Sequence, residues 1–391
     1  MEPDCRALIV ERIRQKGPIT VAEYMDLALY APGAGYYARA TQRSGRAGDF
    51  VTSVDVGPLF GELLSIEFGL MWRALLRAPD PLSSSFQLVE SAAGNGRLSR
   101  DILDAAVRRD PEFYRALSLS LVERSAIARS AQRETLGPHA PALVSSSPDI
   151  PDGFTGVLFA NELLDAFPVH AVAQTRSGLR EVYVAIDGDG LVERLGPLST
   201  PALGQYFEHL GITLEPGARA EVNLAAVDWI AAASARMTRG YLVLIDYGYD
   251  AETLYARERA VGTLTTFHRH LADAPGRDAH AMPAWLVDPG QRDLTTHVDF
   301  TTIRREAEAA GFTVLGMTDQ TRFLLRLVEE GGLLETLSAP DRMRDRLALK
   351  TLLVPGGMGS SHSVLVLGKD VPAYRPDAHG RVVNQPPNRV Q

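Results

Sequence analysis

Glu90, Glu123, Asn161-Glu162 and Asp246 each follow a stretch that suits a buried β-strand, and Asp165 stands three residues beyond Glu162. Carboxylates gathered on one edge of a sheet attract cations and accept paired hydrogen bonds from cationic donors. Four acids sharing one rim imply cationic ligands: a cofactor carrying an ammonium or sulfonium, and a basic acceptor. A carboxylate ending a second strand also suits the two hydroxyls of a ribose, which fits Glu123. The spacing of Glu162 and Asp165 predicts a helical turn after their strand that puts both on one face.

The element that must position these groups runs Phe86-Gln-Leu-Val-Glu90-Ser-Ala-Ala-Gly94-Asn95-Gly96-Arg-Leu98. It reads as a strand, a tight loop with two glycines, and a helix with Leu98, Ile102 and Ala105 or Ala106 on one face. Glycine lets a ligand touch backbone that any Cβ would obstruct. Ser120-Leu-Val122-Glu123 is the second strand with its acid, and Ser125 caps a helix that Gly137-Pro138 ends. A dinucleotide site calls for a third glycine where Ser99 stands, and Glu90 would repel a pyrophosphate. The charge argument therefore favours S-adenosylmethionine, which carries an ammonium and a sulfonium, over NAD.

The chain has 391 residues, enough for a large core, with 45% hydrophobic and 23% charged residues as in ordinary soluble proteins. A net charge of −8 argues against a nucleic-acid partner. The single cysteine, Cys5, excludes an intramolecular disulfide. No apolar run approaches a membrane span. The start, Met-Glu-Pro-Asp-Cys5, carries acids where a targeting peptide carries bases, so a cytoplasmic location is expected. His268, His270, His280 and His297 fit no compact ligand spacing, and no metal site is expected. There is no G-x-S-x-G elbow for serine nucleophile chemistry.

The pattern is α/β. Residues 1–85 read as a helical N-terminal cap: two helices over 5–30 parted at Gly17-Pro18, a Gly/Tyr loop, and a long helix from Pro58 to about Leu76. Residues 86–368 form the core, interrupted by inserts at about 169–218 and 250–298. The first insert is a β-meander, and the second is irregular. Between them lie a helix over 219–238 and a strand, Tyr241–Ile245. A helix from Thr301 to Gly311, a strand over 312–316, helices over 322–337 and 340–352, and a last strand over 362–368 follow. The polar tail, 369–391, is expected to be disordered.

Seven motifs fall along the chain in a familiar order. They are Gly35-Tyr36-Tyr37, Gly48-Asp49-Phe50-Val-Thr52-Ser53, Phe60-Gly61-Glu62, the Glu90 loop, Asn161-Glu162-Leu-Leu-Asp165-Ala-Phe-Pro168-Val, Asp246-Tyr247-Gly248 and Asp293-Leu-Thr-Thr-His-Val-Asp299-Phe300. Over about residues 5–370 the chain resembles the MidA family. The resemblance implies a class I, Rossmann-like methyltransferase core of about seven strands, with S-adenosylmethionine as cofactor. It also implies a protein acceptor, since that family includes the mitochondrial complex I assembly methyltransferase, which symmetrically dimethylates an arginine of a complex I core subunit.

The expected cofactor contacts are Glu90 to the ammonium, Gly94, Asn95 and Gly96 to the methionine portion, and Glu123 to the ribose. Asn161, Gly35, Tyr36, Asp49, Thr52 and Ser53 join them from the shared motifs. Glu162, Asp165 and Asn161 are the expected catalytic group. Their carboxylates would hold a guanidinium by forked hydrogen bonds and ease loss of its proton. The chain departs from the family at Ser91-Ala92-Ala93 in place of Leu-Gly-Pro, at Val54-Asp55 in place of Pro-Glu, and at Gly359-Ser-Ser-His362-Ser in place of Gly-Glu-x-Phe-Lys. A non-catalytic assembly scaffold on the same fold is the alternative of a different class, and an NAD-binding oxidoreductase is a further one.

Overall fold

The computed structural model describes residues 4–39, 52–78, 80, 86–268, 271–273, 283–354, 359 and 362–372. The expectations for Asp49, His270, His280 and the tail beyond residue 372 lie outside the described residues.

Runs of Val, Leu and Phe too short for helices and apolar on both faces make a central sheet covered on both sides. Its strands are β1 (Phe86–Ser91), β2 (Leu117–Val122), β3 (Leu143–Ser147), β4 (Phe154–Asn161), β5 (Met237–Tyr249), β6 (Thr313–Asp319) and β7 (His362–Lys369). They lie in the order β6-β7-β5-β4-β1-β2-β3. The run from β3 to β5 is parallel, and β7 enters antiparallel between β5 and β6. An eighth strand of two residues, Val298–Asp299, pairs with the end of β5. The register sets Ser91 opposite Val122 and Ala160, and Ile245 opposite Asn161. Glu90, Glu123 and Glu162 therefore share one carboxyl-end rim, the edge where open α/β sheets bind ligands.

Helices Leu59–Leu76, Arg97–Arg109 and Gln320–Glu330 pack on one face of this sheet through Phe60, Phe68, Ile102 and Phe323. Helices Leu224–Arg236 and Phe300–Ala309 cover the other through Ile230 and Ile303. A second body stands over the rim. It unites helices Cys5–Lys16 and Val21–Tyr30 with a five-stranded sheet of Ile19–Thr20, His170–Thr175, Gly178–Asp187, Gly190–Gly196 and Arg219–Val222. Its own core holds Ile9, Met25, Leu29, Val182, Val184, Trp285 and Leu294. Among the described residues no helix is long and apolar enough to cross a membrane.

Four local expectations are corrected. The helix expected over 219–238 yields its first turn to a strand, Arg219–Val222, which pairs with residues 170–173, and begins only at Leu224. The insert expected to be irregular holds a three-stranded sheet of Thr265–His268, Leu271–Asp273 and Asp293–Thr295. Strands of three or four residues carry too little alternation to read from sequence. Helix Leu59–Leu76 packs with the core sheet and not with the cap, so packing divides the chain before residue 59 rather than at 85. The fourth correction, at Glu162, belongs to the site.

Candidate active site

Between the rim and the cap lies a cavity of about 840 Å³, within the range of small-molecule sites. The glycine loop forms one wall. Ala92 and Gly94 are both left-handed, at φ +57° and +50°. Gly94 N–H donates to Glu123 Oε2 (2.9 Å), and Gln132 Nε2 donates to the Gly94 carbonyl (2.8 Å). A Cβ built on Gly94 would meet no protein atom within 4 Å. Gly94 and Asn95 line the cavity, so that space is cavity, free for a ligand against bare backbone. Gly96 stands behind them as the cap of helix Arg97–Arg109, where a Cβ would approach Leu121 Cδ1 at 3.1 Å.

Glu90 is the penultimate residue of β1 and not the residue after it. It lines the cavity yet is 4% exposed, and Ser99 Oγ donates to it. Burial, opposed by that hydrogen bond, raises its carboxyl to about 8. Such a group favours a cation that would restore its charge. Glu123 follows β2 as expected and accepts Ser125 N–H at Oε1 (2.7 Å) besides Gly94 N–H at Oε2. A carboxylate has about four lone-pair sites, so both oxygens retain capacity for hydroxyl donors.

Asn161 ends β4, and Glu162 turns the chain in a left-handed conformation at φ +53°. That residue breaks the expected helical turn: bends and turns, not a helix, carry Glu162 and Asp165 to the cavity wall. Glu162 Oε1 accepts Ser53 N–H (3.4 Å) and Asn161 Nδ2 (3.1 Å) and lies 3.4 Å from His362 Nε2. Asp165 is 5% exposed, and its Oδ1 is buried with no hydrogen-bond partner among the described residues. Burial, then Asp246, Glu162 and Asp293, hold its carboxyl well above the usual carboxylate range. Asn161 Oδ1 is likewise buried without a partner. Asp246 lies inside β5 and off the cavity wall. Its Oδ2 accepts Leu163 N–H (3.0 Å) and Leu164 N–H (2.7 Å), and its Oδ1 accepts Tyr247 N–H (2.8 Å). It tethers the loop that carries Glu162 and Asp165.

Of the remaining expected contacts, Thr52 is on the wall, held in a capping box with Asp55, which pairs with Arg97. Ser53 is fully buried behind it, its Oγ donating to Gln320 Oε1 (3.2 Å). Gly35 and Tyr36 belong to the cap's interior. A Cβ on Gly35 would fall 2.6 Å from Ala31 N, and Tyr36 is fully buried. Sequence reasoning gave no role to Tyr30, Tyr37, Asp293 or His297, all on the wall. Tyr37, Asp293 and His297 stand in motifs that had been singled out, so the signal was present and only its chemistry was missing.

These residues fit S-adenosylmethionine: bare backbone at Gly94, a buried carboxylate seeking a cation at Glu90, and spare acceptors at Glu123. The family model of S-adenosyl-L-methionine-dependent methyltransferases matches residues 63–318. Mouse "Protein arginine methyltransferase NDUFAF7, mitochondrial" is 32% identical over 81% of this chain and 72% of its own length. The Drosophila melanogaster homologue of that name is 31% identical over 94% and 85%. A COG1565 superfamily member from Burkholderia thailandensis, solved bound to S-adenosyl-homocysteine, matches 94% of this chain and 92% of its own with TM-score 0.82 and 30% identity. The cytoplasmic expectation is overturned, because these curated animal relatives are named mitochondrial and acids near a chain's start decide no address. The NAD alternative finds no support in any of these relatives. With the fold, the cavity and the relatives in agreement, the chain belongs to the MidA family of S-adenosyl-L-methionine-dependent methyltransferases.

Proposed function

We propose that this enzyme methylates an arginine side chain of a protein, and that the cavity holds cofactor and guanidinium side by side. The observation that carries the acceptor is Asp165, a buried carboxyl of the cavity wall that Asp246, Glu162 and Asp293 repel and whose Oδ1 has no hydrogen-bond partner among the described residues. A guanidinium offers such a group both a cation and donors. The names of the mouse and Drosophila relatives support the same acceptor. A complex I core subunit, the acceptor implied by the family resemblance, is the protein to test.

S-adenosylmethionine, when bound, supplies a methyl group on a sulfonium. Glu90 would face its ammonium, Glu123 its ribose hydroxyls, and Gly94 and Asn95 its methionine portion. A guanidinium is protonated at any physiological pH and has no free lone pair. Glu162 and Asp165 hold it beside the cofactor and take the proton that one of its nitrogens must lose. Asn161, which donates to Glu162, keeps that carboxylate aimed. The left-handed backbone of Glu162 is the kind of strain that persists where a side chain must be presented.

Glu162→Gln keeps shape and removes charge. It should bind S-adenosylhomocysteine as the parent does and lose most methyl transfer, read by mass spectrometry of methylarginine on the acceptor. Full turnover by this variant would sink the assignment. A non-catalytic scaffold is disfavoured by the bare backbone kept at Gly94. Gly94→Val, filling that space, should abolish the melting-temperature rise that S-adenosylhomocysteine causes.

A further inference from the structure

Two carboxylates reach the cavity from segments far apart in sequence. Asp165 follows β4, and Asp293 opens the strand Asp293–Thr295 and is 1% exposed. Tyr37 Oη, from the cap, donates to Asp293 Oδ1 (2.8 Å). The Tyr37 ring stacks on Tyr30 with centroids 5.5 Å apart, and Tyr30 Oη donates to the carbonyl of Ala166 (2.8 Å). Thr296 N–H closes the circuit by donating to the Asp165 carbonyl (2.9 Å). The cap helices, the strand Asp293–Thr295 and the loop after β4 are thereby cross-tied around the two acids. Leu294 N–H donates to the same Asp293 oxygen (2.9 Å) and fixes it further.

Accepting the arginine reading above, we infer that Asp293 joins Asp165 in gripping the acceptor's guanidinium, with Tyr37 as the positioning residue for Asp293. The chemistry favours this pairing. A guanidinium is flat and presents five N–H donors in a fixed fork, so carboxylates from two separate segments can each engage it. A lysine ammonium is a compact point charge with no such fork. A guanidinium N–H would give Asp165 Oδ1 the hydrogen bond it lacks among the described residues. Both carboxylates are nearly dry, so the pair with a cation is screened little. Asp293 also acts on Asp165 directly, adding to the repulsion that a cation would relieve.

The test uses the full chain saturated with S-adenosylhomocysteine, titrated calorimetrically with Nα-acetyl-arginine amide and with Nα-acetyl-lysine amide. The arginine amide should bind. Asp165→Asn and Asp293→Asn should each weaken it by about 30-fold, the scale of losing one partner of a buried charge pair. The melting-temperature rise caused by S-adenosylhomocysteine should persist in both, which shows that they fold and keep the cofactor site. Asparagine at 293 still offers an oxygen to Tyr37, so that variant is expected to fold. Tyr37→Phe should raise KM for an arginine peptide while kcat holds, a split that a general loss of structure would not give.

If Asp293→Asn binds the arginine amide as tightly as the parent, the two-carboxylate grip is overturned and the arginine reading stands. If the parent binds the lysine amide instead, and Asp293→Asn loses it, the arginine reading is overturned. Failure of the parent to bind the arginine amide at all overturns the grip.

Discussion

Glu90 shows how one buried acid ties cofactor binding to pH. Its carboxyl is raised from 4.5 to about 8 by burial, so the folded protein holds its proton where an unfolded chain releases it. Stability from this group is complete below pH 4.5 and falls as pH rises through 8. Near pH 7, binding of S-adenosylhomocysteine, whose ammonium favours the charged carboxylate, should release about one proton. Titration calorimetry in buffers of different ionisation enthalpy reads that proton directly. Glu90→Gln should lose both the proton release and most of the affinity, and an unchanged proton count would remove Glu90 from the ammonium site. Ala92 offers a second test at this scale. It occupies the left-handed region, where an L side chain costs about 1–2 kcal/mol, at a place where the family loop has glycine. Ala92→Gly should therefore raise stability by about 0.5–1 kcal/mol, measured by denaturant unfolding, with cofactor affinity kept.

Helices position the loop that these residues share. Helix Leu59–Leu76 crosses helix Arg97–Arg109 at Gly61, where a Cβ would fall 2.7 Å from Asp101 Cβ and 2.9 Å from Asp101 C. Alanine would improve helix propensity by about 1 kcal/mol, but forcing the helices apart costs about 1–3 kcal/mol. Gly61→Ala is thus expected to destabilise the protein and to weaken S-adenosylhomocysteine binding, because the displaced helix begins at Gly96. A more stable variant with intact affinity would show that the helices separate freely. At this scale the sequence was most readable where elements are long and buried. The seven core strands, the last at His362 among them, and the Ser125 cap were all legible. The turn at Glu162 was not, because spacing of three suits a helix and nothing local reveals a left-handed residue. Asp246 read as a rim acid for the same reason: its β5 strand continues past it, and the amides it serves come from a distant loop.

On the scale of the whole molecule, the cap's apolar core is separate from the two clusters that flank the central sheet. Polar ties hold cap to core: Arg124 with Asp26 (2.9 Å) and Tyr30 with Ala166. Without ligand, calorimetry should resolve the two bodies as distinct or broadened transitions. S-adenosylhomocysteine at about 100 times its Kd, seated between them, should merge the transitions and add about 2.7 kcal/mol. A single sharp transition in its absence would mean that the ties alone make one cooperative unit. This division was only half visible beforehand, since three segments remote in sequence build the cap and no local pattern links them.

The place of β7 bears on synthesis. It lies between β5 and β6, and its first residue, His362, rests 3.4 Å from Glu162. Glu162 leaves the ribosome about half a chain earlier, so at ordinary translation rates it waits on the order of ten seconds or more for that neighbour. During the wait, β5 exposes a long apolar edge, open to pairing with other nascent chains. The proposed catalytic carboxylate thus acquires its last neighbour only when the sheet closes. A nascent chain truncated before β7 should bind chaperones and lack methyl transfer.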